Sequence, residues 1–497
     1  MSIENSLWKR EMREVLAELE DGLSGREAVE ALRFLISTSM LSPDDIYKDP
    51  RKFFEAHRLL ATQVPRKKSG LWIRYALHYN IFAGTIMALG SSQQVERLVQ
   101  RKQCRPTIGC FAMTEQHATD KNGMSIETTA ELSPDETYFV IHTPVSSAAK
   151  NWVTQGLVAD ECIVIANLII HGHSYGPQAF WIKLRDEHGN LLEGIDLIDL
   201  GPKATESDLD NARITFNSLK VPISTHLCKY LQVQNGTVRH HHALGVDVRT
   251  MEVLGNHLYT GRVIVAQAGL SYTRTIMEHL HDAKASNRSC LTPPRKNRSR
   301  RIGVMTGGDT NDRPAHVSKG FLSHAFRTLD NLDRFLCKVE KELCHCLARR
   351  LTPPHRLQQA ITVAKVETVE TCIDLCSALQ DQQDTNGTTS GNILGSDFLL
   401  CCKHAEGESH VLMQKMTRDL LSKLGGEEFD AKEKGPVDIA LHELQRGIMH
   451  AQIQTGCHLL QAWEQCSDLV YNVADAHMDS VLQSYGCVVE TNRGASN

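Results

Sequence analysis

Apolar residues recur at helical spacing through the first hundred positions. Trp8, Met12, Val15, Leu16 and Leu19 follow one another at steps of four, three, one and three, the stripe of an amphipathic helix. Ser42-Pro43-Asp44-Asp45 has the composition of a helix start, with a serine cap, proline at the first position and acids in the first turn. Phe53, Phe54, His57 and Leu60 carry the next helix. From Leu71 to Leu98 a more apolar helix pair is broken at Gly90-Ser91-Ser92, where a serine caps the helix of Val95, Leu98 and Val99.

Near residue 106 the period changes. Ile108–Ala112, Tyr138–Thr143, Cys162–Ile170, Ala179–Leu184, Ile195–Leu200 and Ala212–Phe216 read as short strands. Their even spacing predicts a small antiparallel barrel or sandwich. After Val221-Pro222 helical patterning returns over residues 249–281, 316–351, 354–379, 408–424 and 437–485. Gly261 and Gly269 mark places on the first of these where another element can approach closely. A basic, Pro/Gly-rich linker at 286–314 and a polar loop at 380–395 interrupt the series. The expected class is α+β. It comprises an N-terminal helical domain (1–105), a central β-domain (106–228), a C-terminal helical domain (229–425) and a second, shorter one (426–497).

Composition narrows the function. The chain has 497 residues, 41% apolar and 23% charged, with net charge −5. No basic field suggests a nucleic-acid partner. The longest apolar runs are too short for a transmembrane segment, and the N-terminus lacks a signal-peptide core. Fifteen scattered cysteines read as reduced thiols. Cys344/Cys346, Cys372/Cys376 and Cys401/Cys402 lack the double CxxC layout of a zinc site, so no metal is expected. His240-His241-His242 reads as surface.

Four strings bear on chemistry. Gly172-His173-Ser174-Tyr175-Gly176 has the letters of a nucleophile elbow, but Pro177 and a strand follow where a helix is required. There is no phosphate-binding Gly-x-x-x-x-Gly-Lys loop, and the glycines at 255 and 261 fall inside a helix. The basic run 295–301 reads as a solvated linker before an anion patch. Glu406 and Glu408 stand at the mouth of a helix, either as a solvated start or as a carboxylate held for proton transfer.

Taken together, the spaced motifs of the central stretch resemble the acyl-CoA oxidase branch of the acyl-CoA dehydrogenase superfamily. They are Phe111–Glu115, Glu127–Ala130, Phe139–Pro144, Lys150 with Trp152, Tyr175-Gly176 with Phe180, Gly201–Lys203, Asp210-Asn211 and Val221-Pro222. The match looks closest to the divergent acyl-CoA oxidase-like proteins. Flanking helices match more weakly through Gly261–Val263, Cys372/Cys376 and Glu406-Gly407-Glu408.

The resemblance implies FAD as cofactor, fatty acyl-CoA and O2 as substrates, and trans-2-enoyl-CoA and hydrogen peroxide as products of β-oxidation. It places the catalytic base on Glu406 and flavin contacts on Thr114 and Gly156. It implies a homodimer in the peroxisome, with the cytosol as alternative because the chain has no Ser-Lys-Leu ending. Four positions depart from the family pattern. Gln116–Asp120 replaces a glycine-rich run, and Ser377–Asp381 replaces a Gly-Gly-His-Gly-Tyr run. Ser409 replaces the asparagine of the catalytic motif, and the Pro-rich linker replaces an Arg-Gln-Phe-Gly-like segment. These departures keep a second reading open: an oxidase relative without catalysis that binds acyl-CoA or regulates a partner.

Overall fold

The computed structural model describes residues 3–23, 25–67, 69–101, 106–118, 125–201, 209–234, 236–240, 250–285, 317–384, 396–423 and 435–487. The basic linker, the end of the histidine run and two residues of the Gly201–Lys203 motif lie outside them.

The chain opens with helices α1 (Ile3–Glu18), α2 (Arg26–Ser37), α3 (Asp45–Lys48), α4 (Pro50–Ala61), α5 (Val64–Lys67) and α6 (Ser69–Ala76). A π-helical segment, Leu77–Ala83, follows, then α7 (Gly84–Leu89) and α8 (Ser92–Val99). Of the two candidate serines, Ser91 caps α8, and Gln94 completes the capping box. The start expected at Ser42-Pro43 is different. The Asp45 carboxylate accepts from the Ser42 N–H at 2.8 Å, and the turn closes into a helix of only four residues. The effective start is Asp49-Pro50, where Asp49 caps α4 through the Lys52 N–H and proline takes the first position.

Eleven strands follow among the described residues: β1 (Gly109–Ala112), β2 (Thr129–Leu132), β3 (Tyr138–His142), β4 (Lys150–Thr154), β5 (Glu161–Ile170), β6 (His173–Lys183), β7 (Ile195–Asp199), β8 (Asn211–Phe216), β9 (Leu219–Pro222), β10 (Leu231–Gln234) and β11 (Thr237–His240). The larger sheet is mixed and not, as expected, antiparallel. One edge of β5 takes β1 and then β2, both parallel, and its other edge takes β6. The unbroken apolar run of β5 is the signature of a strand covered on both faces. The smaller sheet is antiparallel, in the order β4-β8-β7.

His171 and Gly172, at φ 49° and 78°, make the two-residue left-handed turn of the β5–β6 hairpin. The Gly172–Gly176 string therefore lies in a hairpin and its strand, with Ser174 exposed. No elbow forms. Pro177 faces Asn167 where the register shifts, a position that tolerates a missing N–H.

The chain does not return to helix directly after Pro222, because the β10–β11 hairpin intervenes. The C-terminal helices are α9 (Thr250–Ala285), α10 (Lys319–Ala348), α11 (His355–Asp384), α12 (Ser396–His404), α13 (Ser409–Lys423), α14 (Pro436–Thr455), α15 (Leu459–Gln465) and α16 (Ser467–Ser484). One apolar core runs from α1 through both sheets to α13, and a smaller one joins α14, α15 and α16 around Leu444 and Val473. Buried ion pairs fasten the N-terminal helices to the sheets: Arg33 to Asp160 at 2.9 Å and Arg74 to Asp210 at 2.6 Å. No described helix is long and apolar enough to cross a membrane.

Candidate active site

Glu406 sits in the turn between α12 and α13. The Ala405 N–H closes α12 on Cys401 O at 2.9 Å. Glu406 then takes φ 58° and Gly407 φ 104°. The second value is open only to glycine. The first costs a non-glycine residue on the order of 1 kcal/mol and needs surroundings that enforce it.

Two buried cations supply that enforcement. Arg262 of α9 donates from Nε to Glu406 O at 3.1 Å. Lys365 of α11 donates from Nζ to Lys403 O at 2.6 Å, Gly407 O at 2.9 Å and Ser409 Oγ at 3.3 Å. Burial pushes the Lys365 amine down to about 8, against the pull of Cys402, Glu370 and Glu408. Ser409, the residue in place of the family's asparagine, is one of its acceptors.

The reversal turns the Glu406 side chain inward onto α9 at Gly261. Its Oε1 accepts from Asn80 Nδ2 at 3.3 Å. Its Oε2 is buried with no hydrogen-bond partner. Burial raises the carboxyl to about 7, while Arg262, Asn80 and Lys365 pull it down. A carboxylate poised near neutrality with one unengaged oxygen is suited to take a proton from carbon. Glu408 is different: its carboxylate accepts from the Val411 N–H at 3.0 Å and pairs with His410 at 2.9 Å. Burial opposes its charge, yet these partners hold it below the usual carboxylate range. It acts as the cap of α13.

Asn80 lies on the π-helical segment, a feature found often at functional sites. Residues two apart on a helix face opposite ways, and this segment is held on both sides. His78 Nδ1 accepts the Gly109 N–H at 3.2 Å. Phe82 fills the space beside Gly109, where a Cβ would come within 2.1 Å of its ring. Asn80 points away from β1 toward Glu406. No sequence signal marks it, because it reads as one polar residue in an apolar run.

Thr114 and Trp152 form a second surface. Thr114 follows β1 and is exposed, and its carbonyl accepts the Asn151 N–H at 2.8 Å. Trp152 sits in the irregular part of β4, at φ 55° and 61% exposed. Beneath them Lys150 Nζ and Glu115 Oε1 make a fully buried ion pair at 2.7 Å. Glu115 also accepts the N–H groups of Glu127 and Thr128 at 2.8 and 2.9 Å. Gly156 is buried behind this surface. A Cβ there would lie 2.8 Å from that of Ala212, so its absence lets the turn after β4 pack against β8. Among the described residues, no hydrogen bond or ion pair joins Thr114 or Trp152 directly to Glu406.

Besides Ser409, two departures lie at least in part among the described residues. Gln116 and His117 donate from their N–H groups to Ala149 O and Ser147 O, both at 2.9 Å, next to Thr114 in the chain. Residues 377–380 lie inside α11, with Leu379 fully buried. Cys372 and Cys376 are buried between α11 and α9. Burial raises their thiols to about 12 and about 11, which keeps them protonated.

No family model matches this chain. It is 35% identical over 209 residues to the acyl-coenzyme A oxidase acox-1.3 of Caenorhabditis elegans, covering 40% of this chain and 31% of that one. It is 31% identical over 187 residues to the acyl-coenzyme A oxidase-like protein of Mus musculus, covering 37% and 29%. The matched stretch thus spans about a third of the length of the curated relatives. Among solved structures, acyl-CoA oxidase 3 of Yarrowia lipolytica superposes with TM-score 0.67 at 19% identity, over 97% of this chain and 75% of that one. Acyl-CoA oxidase-2 of Caenorhabditis elegans, bound with FAD, ascaroside-CoA and ATP, gives 0.68 at 18% identity, over 97% and 76%. This chain is thus similar in sequence to acyl-CoA oxidases over about two fifths of its length, and it shares their fold over nearly all of it.

Proposed function

We propose that the chain is a flavin-dependent acyl-CoA oxidase that converts a fatty acyl-CoA and O2 to the trans-2-enoyl-CoA and hydrogen peroxide. The observation that carries this reading is the Glu406 carboxyl: buried, raised to about 7 and left with one oxygen free. Oε2 takes the proton alpha to the thioester carbonyl. Arg262 and Lys365 keep the turn fixed while the carboxyl gains that proton.

FAD, when bound, would supply the acceptor for hydride from the beta carbon and the route for its electrons to O2. Its ring would lie at the Thr114–Trp152 surface; what supports this is the exposed Trp152 side chain, held out on a backbone of positive φ. Thr114 offers a hydroxyl beside it, and Gly156 lets the turn after β4 pack closely behind this surface. Fatty acyl-CoA is the partner this chemistry requires. A homodimer and a peroxisomal location follow from the family resemblance alone.

The purified protein, supplied with FAD, is expected to show flavin absorbance and to release peroxide with an acyl-CoA. Glu406→Gln is expected to abolish turnover without unfolding. A colourless protein that releases no peroxide at any chain length would refute the oxidase reading. A second reading is favoured by the helical 377–380 run, in which Leu379 is buried, and by the side-chain-bearing Gln116–His117 stretch tied to Ala149 and Ser147: an acyl-CoA-binding relative without catalysis. It predicts thermal stabilisation by acyl-CoA but not by FAD.

A further inference from the structure

The two Glu406 oxygens have different surroundings. Oε1 faces Nδ2 of Asn80, whose side chain is fully buried. Oε2 is equally enclosed but has no hydrogen-bond partner. Gly261 of α9 closes the opposite side, since even a methyl group there would strike the carboxylate. The charged groups nearest the carboxyl are Arg262 from α9 and Lys365 from α11. Their hydrogen bonds go to the main chain around the turn, to Ser409 and to Thr362, not to the carboxylate. Asn80 is thus the only side chain with a hydrogen bond to the carboxylate among the described residues.

We propose that Asn80 is the positioning residue of the base: its amide holds Oε1, so that Oε2 is the oxygen presented to the substrate. The inference rests on the oxidase reading for its catalytic meaning. The geometry gives Asn80 two tasks. It fixes the rotation of the carboxylate, and it donates a hydrogen bond that favours the charged form. The π-helical segment makes this dependable. His78 and Phe82 lock the segment to β1 on one face, and Tyr79 donates from its hydroxyl to Leu41 O at 3.2 Å. Asn80 therefore has little freedom on the other. The segment also ties the base mechanically to β1, whose end carries Thr114.

The test uses the full chain with FAD bound, comparing Asn80→Leu and Asn80→Asp with the unaltered protein. Two readouts are taken: the pH dependence of kcat with an acyl-CoA, and infrared titration of the Glu406 carboxyl, identified by its loss in Glu406→Gln. Losing the donor is expected to move the acidic limb and the carboxyl titration upward together, by roughly half a unit to one unit. KM should change little. Asn80→Asp has the same shape and a like charge, and it is expected to move both further. It also serves if Asn80→Leu fails to fold. Unchanged titration in the Asp variant would overturn the proposal, as would a loss of kcat with an unshifted pH profile. If no protein turns over, the oxidase reading fails, and the infrared titration still decides whether Asn80 governs the carboxyl.

Discussion

The carboxylate of Glu406 occupies the space that a side chain on Gly261 would fill. A Cβ there would lie 2.2 Å from Glu406 Cδ and 2.3 and 2.5 Å from its two oxygens. The clash involves the reactive group itself, so relief can come only by moving the base.

Gly261→Ala is therefore expected to cost about 1–3 kcal/mol of stability through overpacking. Displacing the base by about 1 Å should lower kcat on the order of a hundredfold. Denaturant unfolding and peroxide release measure the two effects. Full activity in a folded Gly261→Ala protein would show that Glu406 works from another position.

The Glu406 carboxyl predicts two pH dependences of opposite sense. Its folded value, about 7, lies above its ordinary value of 4.5. Turnover needs the charged form, so kcat should fall as pH drops below about 7. Stability runs the other way. Between those values the folded protein keeps a proton that the unfolded chain has released, so stability falls as pH rises through the window, by at most about 3 kcal/mol. Urea unfolding at the two ends of the window should show this slope, and Glu406→Gln should remove it.

The Lys150–Glu115 pair is a structural test of the surface that carries Thr114 and Trp152. Both side chains are fully buried, and burial pushes the Lys150 amine down to about 8 even though Glu115 favours its charge. Lys150→Met strands a buried carboxylate and is expected to cost about 3–5 kcal/mol. Changing Glu115→Gln as well should recover a large part of that loss. A double-mutant cycle by denaturant unfolding reads the coupling.

Trp152 provides the spectroscopic check on the cofactor. An exposed indole against which a flavin ring lies should be quenched on titration with FAD. Trp152→Phe should remove most of the quenching while retaining an aromatic face, and Trp152→Ala should weaken FAD binding by roughly 0.5–1.5 kcal/mol. Quenching of equal depth in the Phe variant would place the flavin elsewhere.

Much of this molecule was written locally. The helical period before residue 100, the Ser91 cap and the apolar run of β5 depend on neighbours in sequence, and each appears where those neighbours place it. The sharp turn at Glu406-Gly407 was not read from the chain, although the glycine that its second conformation requires is there. The mixed pairing of β5 was not legible: strand direction depends on where the chain returns, and an apolar run fits either direction.

The environment of Glu406 was decided by tertiary structure alone. Asn80, Gly261, Arg262 and Lys365 come from the π-helical segment, α9 and α11, separated in sequence by stretches of different structure. Gly261 and Arg262 stand out in the chain only as a small residue and part of a motif, and Asn80 and Lys365 read as ordinary helical residues; none of the four points to the others. The sequence by itself determined that residue 406 is a glutamate followed by glycine at the mouth of a helix. Only the packing of three distant elements around it removes water from one carboxylate, leaves one of its oxygens free, and raises it to a value at which a proton can be exchanged near neutrality.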